Sequence, residues 1–131
     1  MSQVFGGGAW LPPATYRTYA TLAEIVRPAN TWVTIDENPQ GINDAAFAVV
    51  CKNGSSATLC YLVDYPAPYH DGSAGLSFAD GHAEVHKFKS PVITKAPAIA
   101  NGPPLPPVTG TFANGLVTDV SWLAENTTVL R

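Results

Sequence analysis

Apolar and polar residues alternate over several short stretches, and the alternation has the period of strands. Residues 31–36, with Trp32, Val33 and Ile35 set against Thr31, Thr34 and Asp36, predict a strand. The turn-forming cluster Glu37, Asn38, Pro39, Gln40 and Gly41 ends it. Two further strands are expected over 46–51 and 58–63, and Asn53-Gly54 between them reads as a hairpin loop. In one register Cys51 lies opposite Cys60, close enough for a cross-strand disulfide, and a slip of one residue abolishes it. Two buried free thiols are the alternative.

The strongest local pattern is Gly75, Leu76, Ser77, Phe78 and Ala79, then Asp80-Gly81, then residues 82–88. Asp-Gly in a two-residue type I′ loop puts Leu76 opposite Val85 and Phe78 opposite Ala83 on a core-facing side. Ser77, His82, Glu84 and His86 then share the other face.

Helical patterning is brief. Thr21 and Glu24 form a capping-box pair that predicts a two-turn helix over 21–26, stopped by Pro28. Residues 118–125 predict a capped helix docking Val120, Trp122 and Leu123. Residues 1–15 read as an irregular lead-in. Residues 90–110 hold Pro91, Pro97, Pro103, Pro104, Pro106 and Pro107, with Val92, Ile93, Ile99 and Leu105 between them, and read as an extended strap laid over the domain. The expected fold is therefore α+β. A mainly antiparallel sheet, short helices and a proline-rich C-terminal strap make one domain over 1–131.

Composition narrows the function. Hydrophobic residues are 46% of the chain and charged residues 13%, about half the usual share, so a globular rather than a disordered chain is expected. The formal net charge is −3, and the cations Lys52, Lys87, Lys89 and Lys95 are scattered. Nucleic-acid binding, which needs clustered cations, is not expected. No apolar run approaches the ~20 residues that cross a bilayer. The first ten residues lack the basic and apolar regions of a signal peptide. Low charge and an even cysteine count fit an extracytoplasmic protein.

All three histidines fall within 70–86, beside Asp80 and Glu84. His82 and His86 share a strand face but stand ~13 Å apart along an ideal strand, too far to hold one zinc ion. A divalent-metal site of His70, Asp80 and His82 is easier, if the 65–74 loop folds back over the turn. The alternative has His70 bonding the turn backbone or Asp80 and locking the loop to the hairpin. Oxygen ligands for calcium are available in Asp36, Glu37, Asn43 and Asp44, or in Asp71 and Asp80, although such residues also simply form turns. Tyr61, Tyr65, Tyr69, Trp10 and Trp32 offer a glycan-stacking or protein-contact patch, or core. Asn53 and Asn126 begin N-glycosylation patterns. No nucleophile elbow or phosphate loop is present, the cysteines lack redox spacing, and Asp36 and Glu37 are adjacent and so face opposite sides of a strand. Enzymatic activity is not expected.

His70, nine intervening residues, then Asp80-Gly81 resembles the C-terminal domain of bacterial prepilin-type proteins, relatives of type II secretion pseudopilins and type IV pilins. The segment from Ser77 to Phe88 looks like that family's hallmark. Further agreement lies in 16–19 with 25–28, in 33–37 with 42–44, and in 122–128, so the resemblance covers roughly 16–131. It implies a pilin-like head that serves as a structural subunit of an extracellular filament or secretion pseudopilus. The partners would be copies of itself or other pilin-like subunits. The place would be the cell surface, the periplasm or outside the cell. Family members begin with a cleaved leader and a long apolar helix, and neither pattern occurs in these residues. The resemblance assigns no chemistry to His70 or Asp80, and His70, Asp80 and Gly81 are expected to form a structural motif. A metal- or glycan-binding module centred on His70 to His86 is the second expectation.

Overall fold

The computed structural model describes residues 1–5, 15–51, 60–95 and 116–129. Strand β1 (Trp32–Ile35) pairs antiparallel with β4 (Ser73–Phe78), and β4 pairs antiparallel with β5 (Ala83–Lys87), giving a three-stranded sheet with β4 in the middle. Strands β2 (Val49–Cys51) and β3 (Cys60–Leu62) form a separate antiparallel pair. Two helices follow, α1 (Pro91–Thr94) and α2 (Leu116–Glu125). This is a small α+β fold. No described helix is long and apolar enough to cross a membrane.

Period-two patterning explains β4. Ala74, Leu76 and Phe78 are buried, while Gly75 and Ser77 face the other side. The core brings these residues together with Trp32, Phe47, Val49, Leu62, Phe88, Ile93, Val120 and Leu123. Helix α2 lies against β2 and β3. Trp32 meets Phe47 edge-on with ring centroids 5.7 Å apart, and its indole N–H donates to the Leu123 carbonyl at 3.0 Å. An indole this deeply buried needs such an acceptor. Asp119, also buried, accepts from the backbone N–H groups of Lys89 and Ser90, which fixes the bend between β5 and α1.

The β4–β5 hairpin departs from the expected register. Its loop has three residues, Ala79, Asp80 and Gly81, not two. Gly81 donates to the Phe78 carbonyl at 3.0 Å, and Phe78 donates to the His82 carbonyl at 2.9 Å. Gly81 alone in the loop has positive φ, 96°, which is a type I turn closed by a left-handed glycine. Phe78 and His82 stack with centroids 4.3 Å apart, and Asp80 accepts the His82 N–H, so the wider loop is held from both sides. Leu76 therefore faces Glu84, and Ala74 faces His86. One residue of slip has moved His82, Glu84 and His86 to the same side as Leu76 and Phe78, leaving Val85 63% exposed on the other.

Other expectations were altered more locally. Residues 21–26 form only a 3-10 turn, Leu22–Glu24, where the Glu24 carboxylate accepts from Ala20 and Thr21 N–H. Pro28 then opens a second such turn, Pro28–Asn30. The start of the chain is built in and not irregular: Ser2, Gln3 and Val4 are buried, and Ser2 N–H donates to the Val33 carbonyl at 2.7 Å. Residues 91–94 are helical instead of extended, because Pro91 sits at the first helical position and the Ser90 hydroxyl accepts from Val92 N–H. The rest of the strap, the lead-in over 6–14 and the 52–59 loop lie outside the described residues. The backbone register sets Cys51 opposite Cys60, as expected, and their side chains lie outside the described residues.

Candidate functional site

The spaced histidine and Asp-Gly fall on the two reversals that bracket β4. His70 belongs to the first. Its N–H donates to the Ser73 carbonyl at 3.2 Å, Ser73 N–H returns a bond at 3.1 Å, and Asp71 and Gly72 carry positive φ of 51° and 76°. Gly72 has a second reason to be glycine, since a Cβ there would stand 2.9 Å from the Thr94 methyl carbon. Asp80 and Gly81 form the second reversal. Six residues of strand separate the two, on the order of 20 Å.

His70 consequently does not reach Asp80. Its Nε2 stands 4.0 Å from Asp36 Oδ2, with its side chain 60% exposed. The reason is the path of the preceding loop. Asn38 N–H donates to the Tyr65 carbonyl at 2.8 Å, and Ala67 N–H donates to the Asp36 carbonyl at 2.8 Å, so the loop is tied to the end of β1 and not to the hairpin turn. Asp80 instead pairs with His82, whose Nδ1 lies 2.6 Å from Asp80 Oδ1. That hydrogen bond is the main cause holding the Asp80 carboxyl below the usual carboxylate range. Of the three residues considered as metal ligands, the structure joins Asp80 and His82 and leaves His70 apart.

The proposed calcium ligands also fail to converge. Asp71 pairs with Lys87 at 2.8 Å, which lowers its pKa, and it sits at the opposite end of β4 from Asp80. Asp44 accepts the Ala46 N–H at 2.6 Å as a turn former. Among the described residues, no three His, Cys, Asp or Glu side chains are grouped to hold a metal ion. Trp32 and Tyr65 of the aromatic patch are core residues, while Tyr69 is exposed.

Asp36 does unusual backbone work. Its N–H donates to the Gly75 carbonyl at 3.0 Å, continuing the β1–β4 ladder, but its own carbonyl is turned to Ala67. Its carboxylate takes the vacated position and accepts Gly75 N–H at 3.0 Å. A Cβ on residue 75 would stand 2.9 Å from that carboxylate, so the arrangement depends on Gly75. Beside it lies an open groove of about 480 Å³ on the outer sheet face, lined by Thr34, Asp36, Gly75, Ser77, Ala83 and Val85 among others. Thr34 and Ser77 hydroxyls bond across its floor at 2.6 Å.

Two features escaped sequence reasoning. His86 stacks on Trp122 with centroids 3.5 Å apart and touches Phe88 edge-on, and burial pushes its pKa down. Only the three-residue loop brings it to that side, and the loop's signal was glycine at the fourth turn position. Glu37 lies near buried Asp64, and its pKa is pushed up to about 7, by burial first and by the Asp64 charge second. No pattern in sequence links residues this far apart. Comparison with protein-family models, curated proteins and solved structures returns no match for this chain.

Proposed function

We propose that this chain is a pilin-like head, a structural subunit of an extracellular filament or secretion pseudopilus in bacteria, working through contact with its own copies or related subunits and not by catalysis. The observation that carries this reading is where the spaced motif falls. His70 and Asp80-Gly81 sit on the two reversals of the central strand, and their contacts are with their own neighbours, Ser73, Asp36 and His82. The His70 ring does not pin the Asp-Gly turn, and the spacing reads as a scaffold of backbone reversals, which suits a protein whose role is to present surfaces. The chemistry of an exported subunit agrees with the low charge and with the opposed Cys51 and Cys60, for which a disulfide is proposed.

The test is assembly of the purified chain, followed by light scattering and electron microscopy over a concentration series. Growth of regular oligomers or filaments, alone or with a helix-bearing pilin-like subunit, is expected. A melting curve of His70→Ala with and without chelator runs alongside. Little change in stability, indifferent to chelator, is expected, because the His70 side chain is 60% exposed and stands 4.0 Å from Asp36. A chelator-dependent loss, or retention on a glycan array, would replace this reading with that of a binding module for divalent metal or sugar.

A further inference from the structure

The two edges of the three-stranded sheet are finished differently. The β1 edge is closed: its register breaks between Trp32 and Thr34, Trp32 N–H donates to the Asn126 carbonyl, and the Val33 carbonyl accepts from Ser2. Bulging and covering are the usual ways a sheet edge is kept from pairing with another chain. Among the described residues the β5 edge has neither. Its register runs unbroken from Ala83 to Lys87, and no described residue bonds to its outer side. The bonds of Phe78 with His82 and of Phe88 with Gly72 show which residues face β4. By alternation, the backbone groups of Ala83, Val85 and Lys87 point outward. Lys87, the charge that would guard this edge, is drawn back by Asp71, to whose carboxylate and carbonyl its ammonium donates.

We propose that β5 is the surface through which two copies of this chain join, antiparallel about a two-fold axis at Val85, fusing their sheets into one of six strands. The sequence of the strand is complementary to itself in that register. Val85 meets Val85 of the second copy as a hydrogen-bonded pair, covering a side chain now 63% exposed. Ala83 meets Lys87, the other outward pair, where the small residue leaves room for the long one. Glu84 meets His86 twice, at the non-hydrogen-bonded positions where side chains approach closest, so a carboxylate faces an imidazole on each side of the axis. Shifting the pairing by two residues sets Glu84 against Glu84 or His86 against His86. An isologous contact of this kind closes on itself and gives a dimer. The proposal rests on reading the chain as an assembling subunit and names the surface.

Sedimentation equilibrium of the full chain tests it. Wild type is expected to dimerise, with the Ala83, Val85 and Lys87 amides gaining hydrogen-exchange protection as concentration rises. Val85→Lys places like charges at the axis and should weaken the dimer at least ~10-fold, with an unchanged melting temperature at concentrations where both proteins are monomeric. Glu84→Lys and His86→Glu should each weaken it alone. A mixture of the two variants should recover a heterodimer, because the introduced ammonium and the introduced carboxylate then face each other across the contact. A wild type that stays monomeric overturns the proposal, as does association unmoved by Val85→Lys or without protection of those three amides. In the last two cases the subunit reading survives and the contact lies elsewhere. Dimers that never grow longer, even with a helix-bearing pilin-like subunit present, uphold the β5 contact and remove the filament reading.

Discussion

Glu37 makes the fold weaken as pH rises from about 4.5 to about 7. It follows β1 and bridges to Pro66, with Oε1 buried and without a hydrogen-bond partner, near Asp64, which is 3% exposed. The Asp64 carboxyl is itself raised by burial, with the Ala48 N–H acting against the rise. The folded protein thus holds a proton on Glu37 up to about pH 7, whereas the unfolded chain releases it near 4.5. Between those values the native state binds more protons, so stability is full below about 4.5 and declines until about 7. At about 1.4 kcal/mol per unit the whole rise corresponds to roughly 3 kcal/mol, and water reaching part of the carboxyl reduces this to about 1–2 kcal/mol. Glu37→Gln, which keeps the shape and cannot ionise, should match wild type near pH 4.5 and exceed it by that amount at pH 8. His86 opposes the trend, because its lowered pKa makes stability fall as pH drops below 6.5, so the difference between variant and wild type is the quantity to follow. Urea unfolding monitored by tryptophan fluorescence at pH 4.5, 5.5, 6.5 and 8 supplies it. Parallel curves for the two proteins would refute the assignment.

Three more outcomes follow from contacts described above. Gly75→Ala should lose about 1–3 kcal/mol because the new Cβ meets the Asp36 carboxylate, and the loss should shrink in an Asp36→Ala background, measurable as a double-mutant cycle by urea unfolding. Asp119→Ala leaves the Lys89 and Ser90 N–H groups without acceptors and should cost about 2–4 kcal/mol, with Asp119→Asn milder, in the same assay. Trp122→Ala uncovers the His86 ring, so the His86 pKa should climb toward 6.5, read from its NMR titration.

The alternating stretches carried most of the framework. Trp32–Ile35 is a strand because β-branched and aromatic residues suit a half-buried pleat, and Cys51 stands opposite Cys60 in the one register of the two apolar runs that was singled out. Val120 and Leu123 dock as their helical spacing predicted. What sequence reasoning missed depended on choices with nearly equal local support. Asp-Gly serves a two-residue loop and also the end of a three-residue one, and the Phe78–His82 stack that accompanies the longer loop is a tertiary contact. His70 went to Asp36 because the 65–67 backbone bonds to 36–38, a link invisible along the chain. Thr21 and Glu24 marked a helical start correctly, but no apolar face followed to extend it, and one turn was all that formed.

The interval between the first reversal and the second has a consequence for which changes in length the chain tolerates. Both ends of β4 are pinned by left-handed backbone, at Asp71 and Gly72 on one side and Gly81 on the other. The strand between them counts in twos. Removing or adding one residue there would reverse the parity of the positions on one side of the change relative to the other, so part of the Ala74, Leu76 and Phe78 row would turn to water, while a change of two would merely shorten or lengthen the strand. The interval therefore behaves as a ruler whose letters are freer than its count.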